Sequence, residues 1–238
     1  MSAVDDFIIT IFIINGTLYP ILIADRFANS NQNDVGSVTQ GIISPSKYTK
    51  IYFEHVHDKL QKMTSDLYYD NGFLVIQGFV ENNDIMFYDP CLRFMNGTQE
   101  YVFFKELFGE DVLLAFIHYA LYGNFSTIDI TKFDWTFDGK SVCDLAFSSE
   151  GGTIGSIVGL DYASQNAHVI NITQKHFVGD YIDNIGTLNQ NFCRMHIVAD
   201  SVDEMRSVIA DLQDRVRVLD IDGRDITLAG MDAEKWFQ

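Results

Sequence analysis

Residues 73–94 read FLVIQGFVENNDIMFYDPCLRF. Two runs rich in β-branched and aromatic residues, 73–80 and 84–89, stand on either side of Asn82-Asn83. Asparagine tolerates the left-handed backbone of a tight turn, so the stretch predicts an antiparallel hairpin. Gln77 sits among apolar neighbours on the first strand. On the returning strand Asp89, Cys91 and Arg93 alternate, and a period of two puts all three on one face. With the turn setting the register, Gln77 is expected near Asp89. That face would offer an amide oxygen, a carboxylate, a thiol and a guanidinium. A solvated sheet face with a cross-strand hydrogen bond accounts for the same residues more plainly.

Before this hairpin stands another. Residues 7–14 (FIITIFII) and 17–24 (TLYPILIA) flank Asn15-Gly16, the pair that a type I′ turn prefers. Pro20 places the second strand at an edge or at a bulge. Residues 29–41 are rich in Asn, Gln, Ser and Gly and read as a loop longer than a simple connection needs. From Pro45-Ser46 onward, Tyr48, Ile51, Tyr52, Val56, Leu60 and Met63 recur at helical spacing. Glu110 to Leu121 reads as an apolar helix closed by Gly123.

Past Gly123-Asn124 the texture changes to short strand-like runs broken by glycines. Ser201 and Glu204 form a capping box that opens a helix to about Arg215, with Met205, Val208, Ile209 and Leu212 on one face. A strand over 216–221 and a turn at Asp222-Gly223 follow. The expected fold class is α+β, in two parts. Residues 1–125 combine an antiparallel sheet with helices, and residues 126–238 are a smaller β-rich domain with one clear helix.

The composition narrows the function. Thirty-three acidic against sixteen basic residues give a net charge of −17. Such a field repels phosphate backbones and anionic bilayers, so no nucleic-acid or membrane partner is expected. A nucleotide site needs only a few local cations and remains open. Three cysteines with no CxxC pair indicate a reduced intracellular protein without a thiolate zinc site. The longest apolar run, 7–14, is far short of the roughly 20 residues of a membrane helix, and no signal peptide is recognisable. A cytoplasmic location follows as the default.

Gln77, then twelve residues on Asp89-x-Cys91-x-Arg93, resembles the metal-binding hairpin of ATP-grasp ligases. That family carries an acid or Gln first, then Glu-x-Asn-x-Arg on the next strand, and carbamoyl-phosphate synthetases carry Gln. The continuation over 88–123 (YDPCLRFMNGTQEYVFFKELFGEDVLLAFIHYALYG) resembles the turn and helix of a bacterial branch similar to the carbamoyl-phosphate synthetase large subunit. GSIVGLD (155–161), GDYIDNIGT (179–187) and VLDIDGRDI (218–226) resemble the small domain behind that module.

The resemblance implies the C-terminal lobe of an ATP-dependent carboxylate–amine or carbamoyl-phosphate-forming ligase, working through an acyl phosphate. ATP would be the substrate nucleotide, Mg²⁺ or Mn²⁺ the metal, and a small carboxylate or bicarbonate the acceptor. Gln77 and Asp89, with Cys91 in the third place, would be metal ligands. Arg93 would clamp the acceptor or the transferring phosphoryl group. Asn96-Gly97 would bring backbone amides to the substrate, and Asp5 or Asp6 would meet the ribose. Two departures weigh against catalysis. Asp89 is one methylene shorter than the family's Glu, and Cys91 is a soft thiol that suits Mg²⁺ poorly. The chain also starts at about the point where the family's hinge ends, so it is expected to be at most half a module and inactive alone. A degenerate nucleotide- or protein-binding relative is the alternative. An unpaired strand edge near 7–14 would in addition pair two copies into a homodimer.

Other residues read structurally. His55 and His57, two apart on a helix, point about 200° apart and would not share an ion. His118 reads as packed, and His168, His176 and His196 show no ligand spacing. Cys143 and Cys193 read as small buried hydrophobes. Gly151–Gly155 reads as glycine-rich turns rather than a phosphate loop, and Asp25-Arg26 as an exposed ion pair at the root of the polar loop. No GxSxG, GxxxxGK[ST] or GxGxxG stretch occurs.

Overall fold

The computed structural model describes residues 5–28, 39–82, 84–94, 101–183 and 186–232. It divides into two compact units: Met1–Arg26 with Ile43–Asp138, and Phe27–Ile42 with Gly139–Gln238.

The first unit is built on the two expected hairpins. Strands β1 (Asp5–Ile14) and β2 (Thr17–Ala28) join at Asn15 and Gly16, whose φ angles of 50° and 77° are those the turn demands. Thr10 faces Leu22 but Ile11 faces Pro20, so Ile21 is an extra residue and Pro20 stands beside a bulge. The expected polar loop lies outside the described residues over 29–38, and strand β3 (Thr39–Ser44) takes its last positions.

Helices α1 (Thr49–His55) and α2 (His57–Asp66) replace the single expected helix, with a kink at Val56 (φ −122°). The hydrogen bonds Val56 N–Tyr52 O and Leu60 N–Val56 O run through the kink, at 2.9 and 3.0 Å. Tyr52, Val56 and Leu60 pack on Phe7, Ile9, Ile11 and Ile76, whereas Met63 is exposed. Each such buried aliphatic or aromatic side chain is worth roughly 1.5–3 kcal/mol.

Strands β4 (Gly72–Glu81) and β5 (Asp84–Cys91) form the second hairpin, and β4 pairs with β1 along nearly its whole length. The order within this unit is therefore β5-β4-β1-β2. β1 lies inside the sheet with Phe7 to Ile13 fully buried, so the free edge expected at residues 7–14 does not exist.

Helix α3 (Tyr101–Phe108) was not anticipated, and α4 (Val112–Tyr122) starts after the Asp111 cap rather than at Glu110. Asp111 accepts from Leu114 N at 2.9 Å, and Gly123 closes the helix at φ 73°. Phe104 and Phe108 of α3 pack against Phe133, and Phe108 stacks on Phe137. These rings hold residues 126–138 to the first unit, which ends later than the boundary expected near 125.

The second unit places β10 (Asn191–Ala199) between β6 (Ser141–Ser148) and β8 (Val169–Gln174). A smaller sheet has β7 (Gly152–Val158) between β9 (Tyr181–Ile182) and β11 (Arg217–Asp220). A short helix α5 (Leu160–Gln165) follows β7, and α6 (Val202–Arg215) packs on β6 and β10 through Met205, Ile209 and Leu212. Ser201 Oγ accepts from Glu204 N at 3.2 Å, while Glu204 Oε2 reaches one residue beyond the cap, to Asp200 N at 2.7 Å. No helix among the described residues is long and apolar enough to cross a membrane.

Candidate functional site

Alternation along β1 puts Asp6, Ile8 and Thr10 on one face of the first sheet. Their β4 neighbours are Phe79, Gln77 and Val75, and Gln77 in turn stands opposite Tyr88 on β5. On the other side of β1 the bulge at Ile21 shifts the register by one, which brings Arg26 rather than Asp25 opposite Asp6.

A polar cluster results. Arg26 Nη1 is paired with Asp6 Oδ2, the Tyr88 hydroxyl donates to Asp6 Oδ1 at 2.9 Å, and Arg26 Nη1 lies 3.5 Å from the same hydroxyl. The Arg26 side chain is 7% exposed and that of Asp6 22%. Burial raises the Asp6 carboxyl above its ordinary range although Arg26 and Tyr88 pull it down. Burial, reinforced by the Asp6 charge, pushes the Tyr88 phenol up to about 12. Asp6, expected at the ribose, is thus engaged by two partners. Asp5 enters β1 opposite Val80, and its side chain lies outside the described residues, as do Asn96 and Gly97 altogether.

The Asp89-Cys91-Arg93 array does not form as expected. Gln77 faces Tyr88 and Val75 faces Cys91, so Asp89 and Pro90 together oppose Ile76 in a bulge. Asp89 takes φ 49°, which breaks the alternation that would have aligned it with Cys91. Cys91 Sγ lies 3.8 Å from Asp89 Oδ1. β5 ends at Cys91, and Arg93 follows in a bend with its Nη1 donating to the Phe94 carbonyl at 2.9 Å. The Phe94 ring is seated on Phe73 and Phe116, with centroids 4.1 and 5.6 Å apart, which anchors that carbonyl.

The donors present are one amide, one exposed carboxylate and one thiol. Mg²⁺ asks for hard oxygens in octahedral geometry and usually draws several from water and substrate phosphates. Gln77 and Asp89 are hard oxygen donors of the kind such an ion takes, too few by themselves for a pair of ions, and the Cys91 thiol adds none. No group of three His, Cys, Asp or Glu able to hold a metal occurs among the described residues.

Asp25 and Arg26 are not an exposed ion pair. Asp25 is 3% exposed on the opposite face, where it accepts from Ser46 Oγ and, at 3.2 Å, from Lys47 N. Tyr88 and Arg26 were not singled out as partners of Asp6. Counting outward from Asn82-Asn83 does pair Gln77 with Tyr88, and one bulge residue beside Pro20 does pair Asp6 with Arg26.

The remaining candidates are structural. His57 Nδ1 meets the Tyr52 hydroxyl at 3.0 Å, and His118 Nδ1 meets the Asn124 carbonyl at 3.1 Å. His196 is fully buried against Asn171, while His168 and His176 contact the Val198 and Asn189 carbonyls. Gly152 to Gly155 belong to β7, and a Cβ at Gly155 would stand 2.2 Å from the Asp220 carbonyl oxygen.

No family model matches this sequence, and no curated protein does. Solved structures do match. The L-amino acid ligase from Bacillus licheniformis superposes with a TM-score of 0.73 at 14% identity, over 91% of this chain and 54% of that one. Phosphoribosylglycinamide synthetase from Anaerococcus prevotii gives 0.72 at 11%, over 90% and 53%. The biotin carboxylase domain of the 2-oxoglutarate carboxylase from Hydrogenobacter thermophilus, solved as a dimer with MgADP, ADP and bicarbonate, gives 0.65 at 13%, over 95% and 48%. The chain has the fold of ATP-grasp enzymes and spans about half the length of these structures.

Proposed function

We propose that this chain is the C-terminal part of an ATP-grasp carboxylate–amine ligase, similar to the carbamoyl-phosphate synthetase branch, and that the Asp6–Gln77–Tyr88 face of its first sheet receives the nucleotide. The observation that carries this reading is Gln77 on a sheet face beside Asp6 and Tyr88, within a fold whose solved neighbours are ATP-dependent ligases and carboxylases.

In this reading Gln77 and Asp89 hold one Mg²⁺ with the phosphates, where the ion would offset the negative charge of the polyphosphate. Arg93 gives up the Phe94 carbonyl and presents its planar fork to the acceptor carboxylate or bicarbonate, orienting it for attack on the γ-phosphate. Asp6, with Asp5 beside it in sequence, accepts from the ribose hydroxyls, and the backbone at Asn96-Gly97 meets the acceptor. The acceptor's attack releases ADP, and the acyl group of the resulting acyl phosphate then passes to an amine with release of inorganic phosphate. The chain acts with the other half of the module, in the cytoplasm.

The test uses the protein as its source cell makes it. ATP, Mg²⁺ and bicarbonate or amino acids are supplied with hydroxylamine, which captures an acyl phosphate as a hydroxamate. Acceptor-dependent hydroxamate, lost in Arg93→Ala, is expected. ATP bound but never cleaved would favour a second reading, a degenerate binding module, for which the Asp89 bulge and the Cys91 thiol speak.

A further inference from the structure

Tyr88 stands on β5 and Asp6 on β1, with β4 between them. Adjacent strands lie about 4.8 Å apart, so the two backbones are separated by about twice that distance. The 2.9 Å hydrogen bond between Tyr88 and Asp6 can close only if the tyrosine side chain lies down across β4. The ring contacts agree: the Tyr88 centroid is 6.2 Å from that of Phe79, with the planes tilted by only 32°. Tyr88 also faces Gln77 directly. The tyrosine is thus laid over the Gln77–Phe79 stretch, its hydroxyl moored to Asp6 and within 3.5 Å of Arg26. The mooring is firm because Arg26 and Asp6 are a largely buried pair, yet the tyrosine remains 38% exposed. One end is fixed and the outer side is free to lift.

We propose that Tyr88 is a displaceable cover of this face, and that a nucleoside triphosphate binds by lifting the Tyr88 phenol from Asp6. This rests on the reading of the face as the nucleotide site. Release uncovers the Gln77 amide and frees Asp6 Oδ1 to accept from a ribose hydroxyl in place of the phenol. Arg26 stays paired with Asp6 and holds the carboxylate in place through the exchange. The cover costs affinity, because the hydrogen bond to a charged acceptor must be given up before the ligand gains its own.

Isothermal titration of ATP with Mg²⁺ into the protein as its source cell makes it, wild type and Tyr88→Phe, tests this. The phenylalanine keeps the ring and removes the mooring, so ATP is expected to bind about tenfold more tightly to the variant. Tyr88→Leu, which also clears the ring, should bind at least as tightly as Tyr88→Phe. A urea midpoint for each variant confirms that it is folded. Equal affinity in wild type and variants, or weaker affinity in the variants, overturns the cover and leaves the nucleotide face standing. No ATP binding by any of the three overturns the nucleotide reading itself.

Discussion

Arg194 grips Asp144 with two parallel hydrogen bonds, Nε to Oδ1 at 2.9 Å and Nη2 to Oδ2 at 2.7 Å, across the pairing of β10 with β6. Their side chains are 9% and 2% exposed, and His196 stands opposite Asp144 in register. Both charges are out of water, so each depends on the other for compensation. Arg194→Ala strands a buried carboxylate and should destabilise the protein by about 3–5 kcal/mol. The pair Asp144→Leu with Arg194→Met should recover most of that loss, because no charge remains buried. Urea denaturation measures both; a single variant as stable as wild type would show that water reaches Asp144.

Cys143 and Cys193 are fully buried, and burial pushes both thiols well above their ordinary range. Cys91 is half-buried at the end of β5. The thiolate is the reactive form, so a disulfide reagent at neutral pH should label one thiol of the native protein. The other two should appear only in denaturant. Mass mapping that found Cys143 or Cys193 modified under native conditions would refute the packing described for β6 and β10.

Gly155 lies in the middle of β7, where the backbone of Asp220 and Ile221 comes so close that a methyl group would sit 2.2 Å from a carbonyl oxygen. The obstruction is backbone and cannot rotate away. Gly155→Ala should therefore cost about 2 kcal/mol or more, from strain forced into the β7–β11 pairing. Gly109→Ala is a poor control because its φ is 70°, whereas Ser207→Ala, at an exposed position of α6, should change little. A thermal melt that leaves Gly155→Ala unchanged would contradict the close approach.

How far the site was legible depended on register. The two hairpins followed from Asn15-Gly16 and Asn82-Asn83 between β-branched runs, since turn chemistry and period-two alternation are local. The bulges were less accessible. A single extra residue at Ile21 exchanges Asp25 for Arg26 opposite Asp6 and sends Asp25 to the buried side. The extra residue at Asp89-Pro90 undoes the Asp89-Cys91-Arg93 face. Pro20 and Pro90 are the only local marks of these bulges, and a proline says that pairing is interrupted without saying by how many residues. Helix α3 lacked a readable start because the residues before it, 95–100, carry no helical spacing of apolar side chains.

His57 offers a pH test of the helix kink. Its ring accepts or donates at Tyr52 OH, and burial lowers its pKa below the ordinary 6.5, more than Asp58 raises it. The folded state thus binds a proton less readily than the unfolded state. The contribution is fully present above about pH 6.5 and is lost as pH falls from there through the folded pKa. The urea midpoint of wild type should drop between pH 7.5 and pH 5.5, and His57→Gln should show a smaller drop. Identical slopes for the two proteins would mean that His57 titrates alike in both states.

Cys91 and Asp89 are where the proposed metal site can be tested. A thiol offers Mg²⁺ little, whereas an amide oxygen at that position, facing Val75 and two residues along the sheet from the Gln77–Tyr88 pair, adds a hard donor on the Gln77 side of the hairpin. Cys91→Asn should increase Mg²⁺-dependent affinity for ATP about tenfold, and leave binding measured with excess chelator unchanged. Adding Asp89→Glu should extend the gain only if the longer carboxylate spans the displacement that the bulge introduces. A gain from Asn alone that Glu does not improve would locate the limitation in the left-handed backbone at Asp89 rather than in side-chain length. If neither substitution changes the Mg²⁺ dependence, the hairpin holds no metal.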